Sequence, residues 1–454
     1  MNASDRKQYS GLSLRANFSW TFVGNVVNAG SWFAMTIVLA KLGSPEHVGQ
    51  FALGLAATAP IFMFASLRLR DVQATDSKQE FLFGDYFALR LLTTALAFMV
   101  VAGIVFVSGY RGEMALVILA TAASKSIEAI SDALYGLFMR QERLDRIAKS
   151  MMVKGPLSLI GLGIGFYLTR SVFWGVVGMA MARAVVLVSY DLWNATLSLN
   201  SSSERSSHII SKDSPLLHWN STILARLAWL ALPLGFVTML ISFKTNIPRY
   251  FIEQYLGTYQ LGLFAAAASF QKIAPTVVTA LGRSASPRLA KYYAANNVKA
   301  FRSLMVKLIG ISVVLGCGGV SVALVVGREL LVLFYGAEYA LHGLFVLLMV
   351  AAGIDYIATM LQHGMTSARY FRGQLPVFLA TTAAAGLASF MLIPTAGLEG
   401  AAIALMIAAV VRAGCSLLVV WHALHSLHKK SFTAKLRDLS LQTGVVGDLN
   451  VRAT

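Results

Sequence analysis

Residues 91–109 read LLTTALAFMVVAGIVFVSG and contain no Asp, Glu, Lys or Arg. As a helix this run rises about 28 Å, close to the ~30 Å of bilayer hydrocarbon. Lipid offers no hydrogen-bond partners, so such a segment closes its backbone bonds internally as a helix or joins a closed barrel. Barrel strands are about ten residues long and alternate in polarity, and this run does neither. Residues 308–327 and 373–398 are uncharged in the same way. The run therefore predicts a spanning helix, and its recurrence predicts an all-α polytopic membrane protein of about 12 transmembrane helices.

Composition agrees. Of 454 residues, 57% are hydrophobic and 13% charged, whereas a soluble domain carries about 25% charge. The predicted spans are 18–40, 48–66, 81–108, 113–138, 150–169 and 172–192, then 226–247, 258–282, 303–326, 342–363, 374–394 and 397–424. The first apolar run is too long for a signal-peptide core and reads as an uncleaved span. Between the two sets lies the most polar stretch, which includes Ser201, Ser202, Ser203, Glu204, Arg205, Ser206 and Ser207 and reads as a linker. The expected organisation is a six-helix bundle over 1–192, a cytoplasmic linker over 193–225, a second six-helix bundle over 226–428 and a cytoplasmic tail over 429–454.

The net charge of +17 sits in short loops and excludes nucleic acid as the partner. Of the 38 Lys and Arg, six (Lys41, Arg111, Arg170, Lys244, Arg249, Arg328) fall on the side opposite the N-terminus and five (Arg90, Lys125, Arg183, Lys272, Arg412) inside spans. The remaining 27 lie on the N-terminal side, which predicts that both termini are cytoplasmic. Cys317 and Cys415 lie in apolar runs and read as small buried hydrophobes. There is no phosphate-binding glycine loop of the G-x-x-x-x-G-K-[ST] type and no H-E-x-x-H. His422, His425 and His428 read as interfacial residues beside a basic tail. No catalytic residue, cofactor or metal site is expected.

Two passages half a chain apart are alike. Leu42-Gly43 precedes Val48-Gly49-Gln50-Phe51-Ala52, and Leu256-Gly257 precedes Leu261-Gly262-Leu263-Phe264-Ala265. They make the two bundles pseudo-symmetric halves, a frequent transporter plan with the substrate path between them. Polar stripes run along the first span (Thr21, Asn25, Asn28, Trp32) and the seventh (Thr238, Ser242, Thr245, Arg249). Such stripes pack helix against helix or line a cavity.

The predicted fourth span carries Lys125, Glu128 and Asp132 on one face, and the tenth carries Asp355. These acids neutralise neighbours, line water, or exchange protons or cations during transport. The eighth span carries Ser269, Lys272, Thr276, Thr279 and Arg283 on one face. Arg90, Arg183 and Arg412 add to the interior cations, which outnumber the acids. A net positive interior suits an anion, and the arginine fork suits phosphate. Pro60, Pro156, Pro233, Pro248 and Pro275 interrupt spans and bend them.

The stretch Ser13-Leu14-Arg15-Ala16-Asn17-Phe18-Ser19-Trp20, with Leu39-Ala40-Lys41-Leu42-Gly43 and Val48-Gly49-Gln50-Phe51-Ala52-Leu53-Gly54, resembles the bacterial polysaccharide transporters of the O-antigen flippase type. So does Leu333-Phe334-Tyr335-Gly336-Ala337-Glu338-Tyr339. That family belongs to the multidrug/oligosaccharidyl-lipid/polysaccharide exporter superfamily. The resemblance implies a multi-pass protein of the bacterial inner membrane. It implies translocation of undecaprenyl-pyrophosphate-linked oligosaccharide by alternating access, for cell-surface or exopolysaccharide synthesis. It also implies work alongside a polysaccharide polymerase and glycosyltransferases. The alternative is a cation-coupled drug or small-solute antiporter of the same superfamily. For the lipid-linked substrate the expected anion contacts are Arg90, Arg249, Lys272 and Arg283, and the expected sugar contacts Asn25, Asn28 and Thr245. Glu128, Asp132 and Asp355 are the candidates for proton or ion coupling.

Overall fold

The computed structural model describes residues 14–76, 80–203, 217–272, 274–368, 370 and 373–442. Among them the regular structure is helical. α1 (Leu14–Leu42), α2 (Pro45–Ala65), α3 (Phe83–Val107), α4 (Gly112–Arg140) and α5 (Leu144–Thr169) cross in alternating directions. A short helix, Leu69–Thr75, follows α2. α6 starts at Val172–Val186, passes through a π-helical turn at Leu187–Leu192 and ends as Trp193–Ser203. α7 (Ser221–Leu256) opens the second half. α8 is interrupted: Thr258–Ser269, a 3-10 turn Phe270–Lys272, then Ala274–Ala294. Pro275 has no N–H to give to the carbonyl of Gln271, so the helix cannot run through unbroken. α9 (Val298–Phe334) and α10 (His342–Ser367) follow.

The last helical stretch, Gln374–His425, has 52 residues, or about 78 Å of helix, far more than one crossing needs. It reverses at Gly397 (φ 58°, ψ −135°), where only a residue without Cβ is comfortable. Its two arms, residues 374–396 and 398–442, are α11 and α12. Among the described residues ten helices are long and apolar enough to cross a membrane; counting α11 and α12 separately and adding the interrupted α8 gives twelve. The element boundaries follow local chemistry. Ser44 caps α2, its N–H donating to His47 Nδ1 at 3.1 Å, with Pro45 in the first turn. Asn220 caps α7 by accepting from the N–H groups of Thr222 and Ile223, and Asn297 caps α9 by accepting from Ala300.

The repeated passages are where the halves meet. A Cβ on Gly49 would collide with the Thr258 carbonyl oxygen, and one on Gly262 with the Pro45 carbonyl oxygen. Gly49 and Gly262 stand 213 residues apart, as do Pro45 and Thr258, so the contact is reciprocal about the pseudo-twofold. The first turn of α2 lies directly on the first turn of α8, backbone to backbone. Around this crossing the far end of the bundle, opposite the chain's entry at Leu14, is closed. Phe33 of α1 meets Phe270 at 5.0 Å, Phe334 at 5.6 Å and Tyr335 at 6.1 Å, all edge-on. The Tyr250 hydroxyl donates to the Ala56 carbonyl, and the Tyr110 hydroxyl reaches Glu253 at 3.5 Å.

Toward the near end the symmetry breaks. α7 stays against α2 and α3: Thr238 donates to the Met63 carbonyl at 3.0 Å, and Gly235 lies on Phe64 and Leu67. Leu224, Leu227 and Ala231 join Leu67, Leu69, Phe81, Tyr86 and Leu89 in one buried cluster. The equivalent pairing on the other flank is missing. Among the described residues no comparable packing joins α1 to Ala274–Ala294. The halves are therefore sealed at the far end and along one flank, and open on the other flank toward the near end.

Gly262→Leu adds side-chain volume where two backbones touch, and overpacking of this kind costs about 1–3 kcal/mol. It should shift the protein away from the far-end-closed state. In a background with Cys317 and Cys415 replaced by serine, Phe334→Cys should be protected from a membrane-impermeant thiol reagent and become labelled when Gly262→Leu is added.

Candidate functional site

The interior charges form clamps in which two basic side chains share one carboxylate. On α4, Glu128 Oε2 accepts from Lys125 Nζ at 3.0 Å and from Arg183 of α6 at 3.1 Å. Arg183 also donates to Ser124 Oγ at 3.1 Å. One turn on, Asp132 accepts from Arg90 of α3 at 2.9 Å and from Arg70 of the short helix at 3.1 Å, while Arg90 Nε bonds the Ala129 carbonyl at 2.9 Å. In the second half Asp355 of α10 accepts from Lys244 of α7 and Arg412 of α12, both at 2.7 Å. Arg412 spends its other donors on Gln362 at 2.6 Å and Thr359 at 3.3 Å.

Each clamp joins two or three helices and keeps a net charge of +1. In hydrocarbon an isolated charge is costly, so sharing an anion is what lets both cations be held. The three carboxylates keep 31–39% of their side-chain surface open. Behind them Arg90, Arg183 and Arg412 are under a tenth exposed. The cations with open surface are Arg70 and Lys125. A fourth pair differs in kind. Lys154 meets Asp191 at 3.0 Å and the Tyr135 hydroxyl at 2.8 Å, and Tyr135 meets Ser150 at 2.7 Å. Asp191 is fully buried in the π-helical turn, and the pair is neutral.

α1 is tied to the first clamp through Trp32. Lys125 Nζ lies 5.3 Å and Arg183 Cζ 5.0 Å from the indole centroid, within the range of a cation–π attraction. Trp32 in turn stacks near Phe51 of α2 at 6.4 Å, and its neighbour Phe33 enters the far-end seal. One and two turns toward the near end, Asn28 and Asn25 are part-exposed and make no hydrogen bond with the described residues.

Arg249 is unlike the other interior cations. Lys125, Lys154, Arg183, Arg90, Lys244 and Arg412 each reach a carboxylate; Arg249, among the described residues, does not. It donates to Asn246 Oδ1 at 3.2 Å, and its buried Nε meets no acceptor. It sits beside Tyr250, the residue that bonds across the halves.

The structure therefore redistributes the expected site. Arg90 is committed to Asp132, whereas Arg249 has no carboxylate partner among the described residues. Arg283 is exposed and makes no ion pair with the described residues. The Lys272 side chain lies outside the described residues. Thr245 is exposed and bonds back to the Ile241 carbonyl at 3.2 Å. Glu128, Asp132 and Asp355 are all clamped. Arg70 was not a sequence candidate, because it lies past the predicted second span. Lys244 and Lys154, which charge counting assigns to loops, lie inside helices, Lys154 buried and Lys244 only 13% exposed at its side chain. Their signal in sequence was a single cation flanked by apolar residues, which hydropathy reads as a span edge. Among the described residues no group of His, Cys, Asp and Glu could hold a metal ion.

No protein-family model matches the chain. The capsular polysaccharide biosynthesis protein CapF of Staphylococcus aureus is 28% identical over 399 residues, covering 86% of this chain and 95% of CapF. An inward-facing multidrug-resistance MATE transporter of the MOP superfamily superposes with a TM-score of 0.68 at 15% identity, covering 90% of this chain and 99% of that one. The lipid II flippase MurJ in an inward closed conformation gives 0.67 at 10% identity, covering 96% and 94%.

Asp355→Asn should lower stability by about 3 kcal/mol, the low end for a broken buried pair because Asp355 is itself a third open. Arg249→Gln removes an unpaired charge and should leave the melting temperature of the detergent-purified protein unchanged or raise it. Opposite signs for these two charge-neutralising changes are the check. The chain has the membrane-transporter fold that multidrug and lipid II transporters share, and along most of its length it resembles a protein of capsular polysaccharide biosynthesis.

Proposed function

We propose that this protein is a flippase that moves an undecaprenyl-pyrophosphate-linked oligosaccharide across the bacterial inner membrane by alternating access, for capsule or other cell-surface polysaccharide. The observation that carries this reading is Arg249, an interior arginine without a carboxylate, beside clamps that each hold one more cation than anion. An unpaired guanidinium in a low-dielectric interior is stabilised by a ligand anion, and a pyrophosphate presents oxygens that match its fork. The likeness to CapF supports the pathway, and the fold supports transport.

The near end faces the cytoplasm in this reading, in line with its excess of Lys and Arg. The head group enters the interior there. The polyprenyl tail remains in lipid and passes through the open flank between α1 and Ala274–Ala294. Asn25 and Asn28, whose amides make no hydrogen bond with the described residues, meet the sugars on that flank, with Thr245 as the contact from α7. Phosphate oxygens draw Lys125 and Arg70 from the carboxylates they share, so Glu128 and Asp132 act as exchangeable counter-ions. Arg283 meets the anion nearer the cytoplasm, Arg249 receives it beneath the seal, and Lys272 is the further anion contact of this reading. The two halves, 1–192 and 226–428, then rock about the Gly49–Gly262 crossing. A polymerase and glycosyltransferases act before and after on the same lipid. A cation-coupled antiporter, by contrast, needs a carboxylate free to hold an organic cation, and Glu128, Asp132 and Asp355 each already hold two basic partners.

In a strain lacking the gene, lipid-linked repeat units should accumulate on the cytoplasmic side and surface polymer should fall. Arg249→Gln should restore less than a tenth of the polymer at normal membrane abundance, and Arg249→Lys should restore part of it. Normal export from the deletion strain with no accumulation of lipid-linked units would sink the reading, as would ion-gradient-driven efflux of organic cations by the purified protein.

A further inference from the structure

α1 and α5 pack against each other along their length, from Gly24 on Ala148 at the near end to Gly43 on Phe166 at the far end. Gly24 of α1 rests on Ala148, and Gly155 of α5 rests on Ser31, so small residues bring the two backbones together. Pro156 follows, leaving the Met152 carbonyl without its helical donor and letting α5 change direction. At Gly163 the nearest α1 atom is Val38 Cγ1, 3.7 Å from where a Cβ would stand. Gly163 has no side chain to fill the surface there, which leaves a shallow groove of about 510 Å3 lined by Val38, Leu42, Leu159, Gly163, Tyr167 and Leu168 among others, all without charge.

Two properties of the groove go beyond an apolar face. From Leu159 to Leu168 it follows α5 for about 14 Å, close to the ~15 Å hydrocarbon depth of one leaflet. At its far end sits a cation. α5 terminates at Arg170 in the left-handed conformation (φ 57°). Arg170 donates to the Leu42 carbonyl at 2.5 Å and lies 5.7 Å from the Tyr167 ring centroid, so it bridges both walls of the groove. A guanidinium has five donors, and Arg170 makes no ion pair among the described residues. The nearby acid, Glu113, accepts instead from the Ser171 hydroxyl at 2.5 Å.

We propose that this groove binds one anionic glycerophospholipid of the far leaflet, with an acyl chain along α5 and the phosphate on Arg170. Leaflet depth, uncharged walls and a cation at head-group level together specify such a lipid. A polyprenyl tail is several times longer than the groove. It also enters, on the function proposed above, from the other side of α1, beside Ala274–Ala294. The bound lipid covers the outward faces of α1 and α5 where they meet, and so braces the helix that carries Trp32 and Phe33. The proposal depends on the membrane-spanning fold and not on which substrate is carried.

The test is native mass spectrometry of the full-length protein released from detergent containing phosphatidylglycerol, with thermal unfolding measured in parallel. Wild type should retain one phosphatidylglycerol and gain stability when it is added. Arg170→Gln should reduce that retained lipid at least fivefold. Gly163→Leu, which has room for its side chain, should do the same by filling the groove. Leu387→Val, on another lipid-facing surface, should change neither readout. Equal retention in all four proteins, retention of polyprenyl phosphate in preference to phosphatidylglycerol, or a dimer that buries this face would each overturn the proposal. Because transport is not measured, a flippase assay that fails leaves this outcome readable.

Discussion

Hydrocarbon cannot solvate an ion, and that constraint arranges the interior of this protein. Each cation carried into the bundle needs an anion, and there are fewer anions than cations. The outcome is sharing. Glu128, Asp132 and Asp355 each hold two basic partners drawn from different helices, and the clamps double as cross-braces between α4, α3, α6 and the short helix in one half, and between α7, α10 and α12 in the other. A shared carboxylate is only half satisfied toward each partner, and the residual positive charge is what a phosphate can use. Arg249 stands out against this pattern, because among the described residues no carboxylate reaches it and its buried Nε meets no acceptor.

The halves are held by a different interaction, with no charge in it. Gly49 and Gly262 let two helix starts touch along their backbones, each glycine against the carbonyl of the residue that opens the other helix. A pair of reciprocal contacts around one axis acts as a pivot, because rotation about the axis changes their distance little. The aromatic group of Phe33, Phe270, Phe334, Tyr335 and Phe345 surrounds that pivot and closes the far end. The breakdown of symmetry nearer the chain's entry matters as much. α7 lies against the first half over its length while α1 leaves a flank open, and an open flank is what a substrate with one polar and one lipid end requires. Trp32 links the two systems, since it touches the cations of the first clamp on one side and α2 on the other.

Much of the architecture was legible in the chain. Uncharged runs such as 91–109 set the crossings, the imbalance of Lys and Arg marked one end, and the passages around Gly49 and Gly262 marked the two halves. The repeat proved more exact than its flanking stripes suggested. With the 213-residue offset of the glycine crossing, Trp32 corresponds to Thr245 and Asn25 to Thr238, so the polar stripe containing Arg249 extends one turn beyond its counterpart. The charges were harder to place. Hydropathy treats Lys154 and Lys244 as span edges because it assigns each the cost of an isolated ion, yet both are buried beside an aspartate that removes most of that cost.

The amino-acid sequence by itself determined that the chain is built of many helices apolar enough to cross a membrane, that two of its passages are alike, and that its spans carry more positive than negative charge. These follow from local quantities: length of apolar run, charge count, and similarity between segments. Only the tertiary structure decided which carboxylate each cation shares, that Arg90 is committed and Arg249 is not, that the far end is shut, and which flank is open. Pairing depends on which helices are neighbours and at what depth their side chains meet, and those distances join residues as far apart as Lys244 and Asp355 or Pro45 and Gly262, beyond the reach of any local pattern.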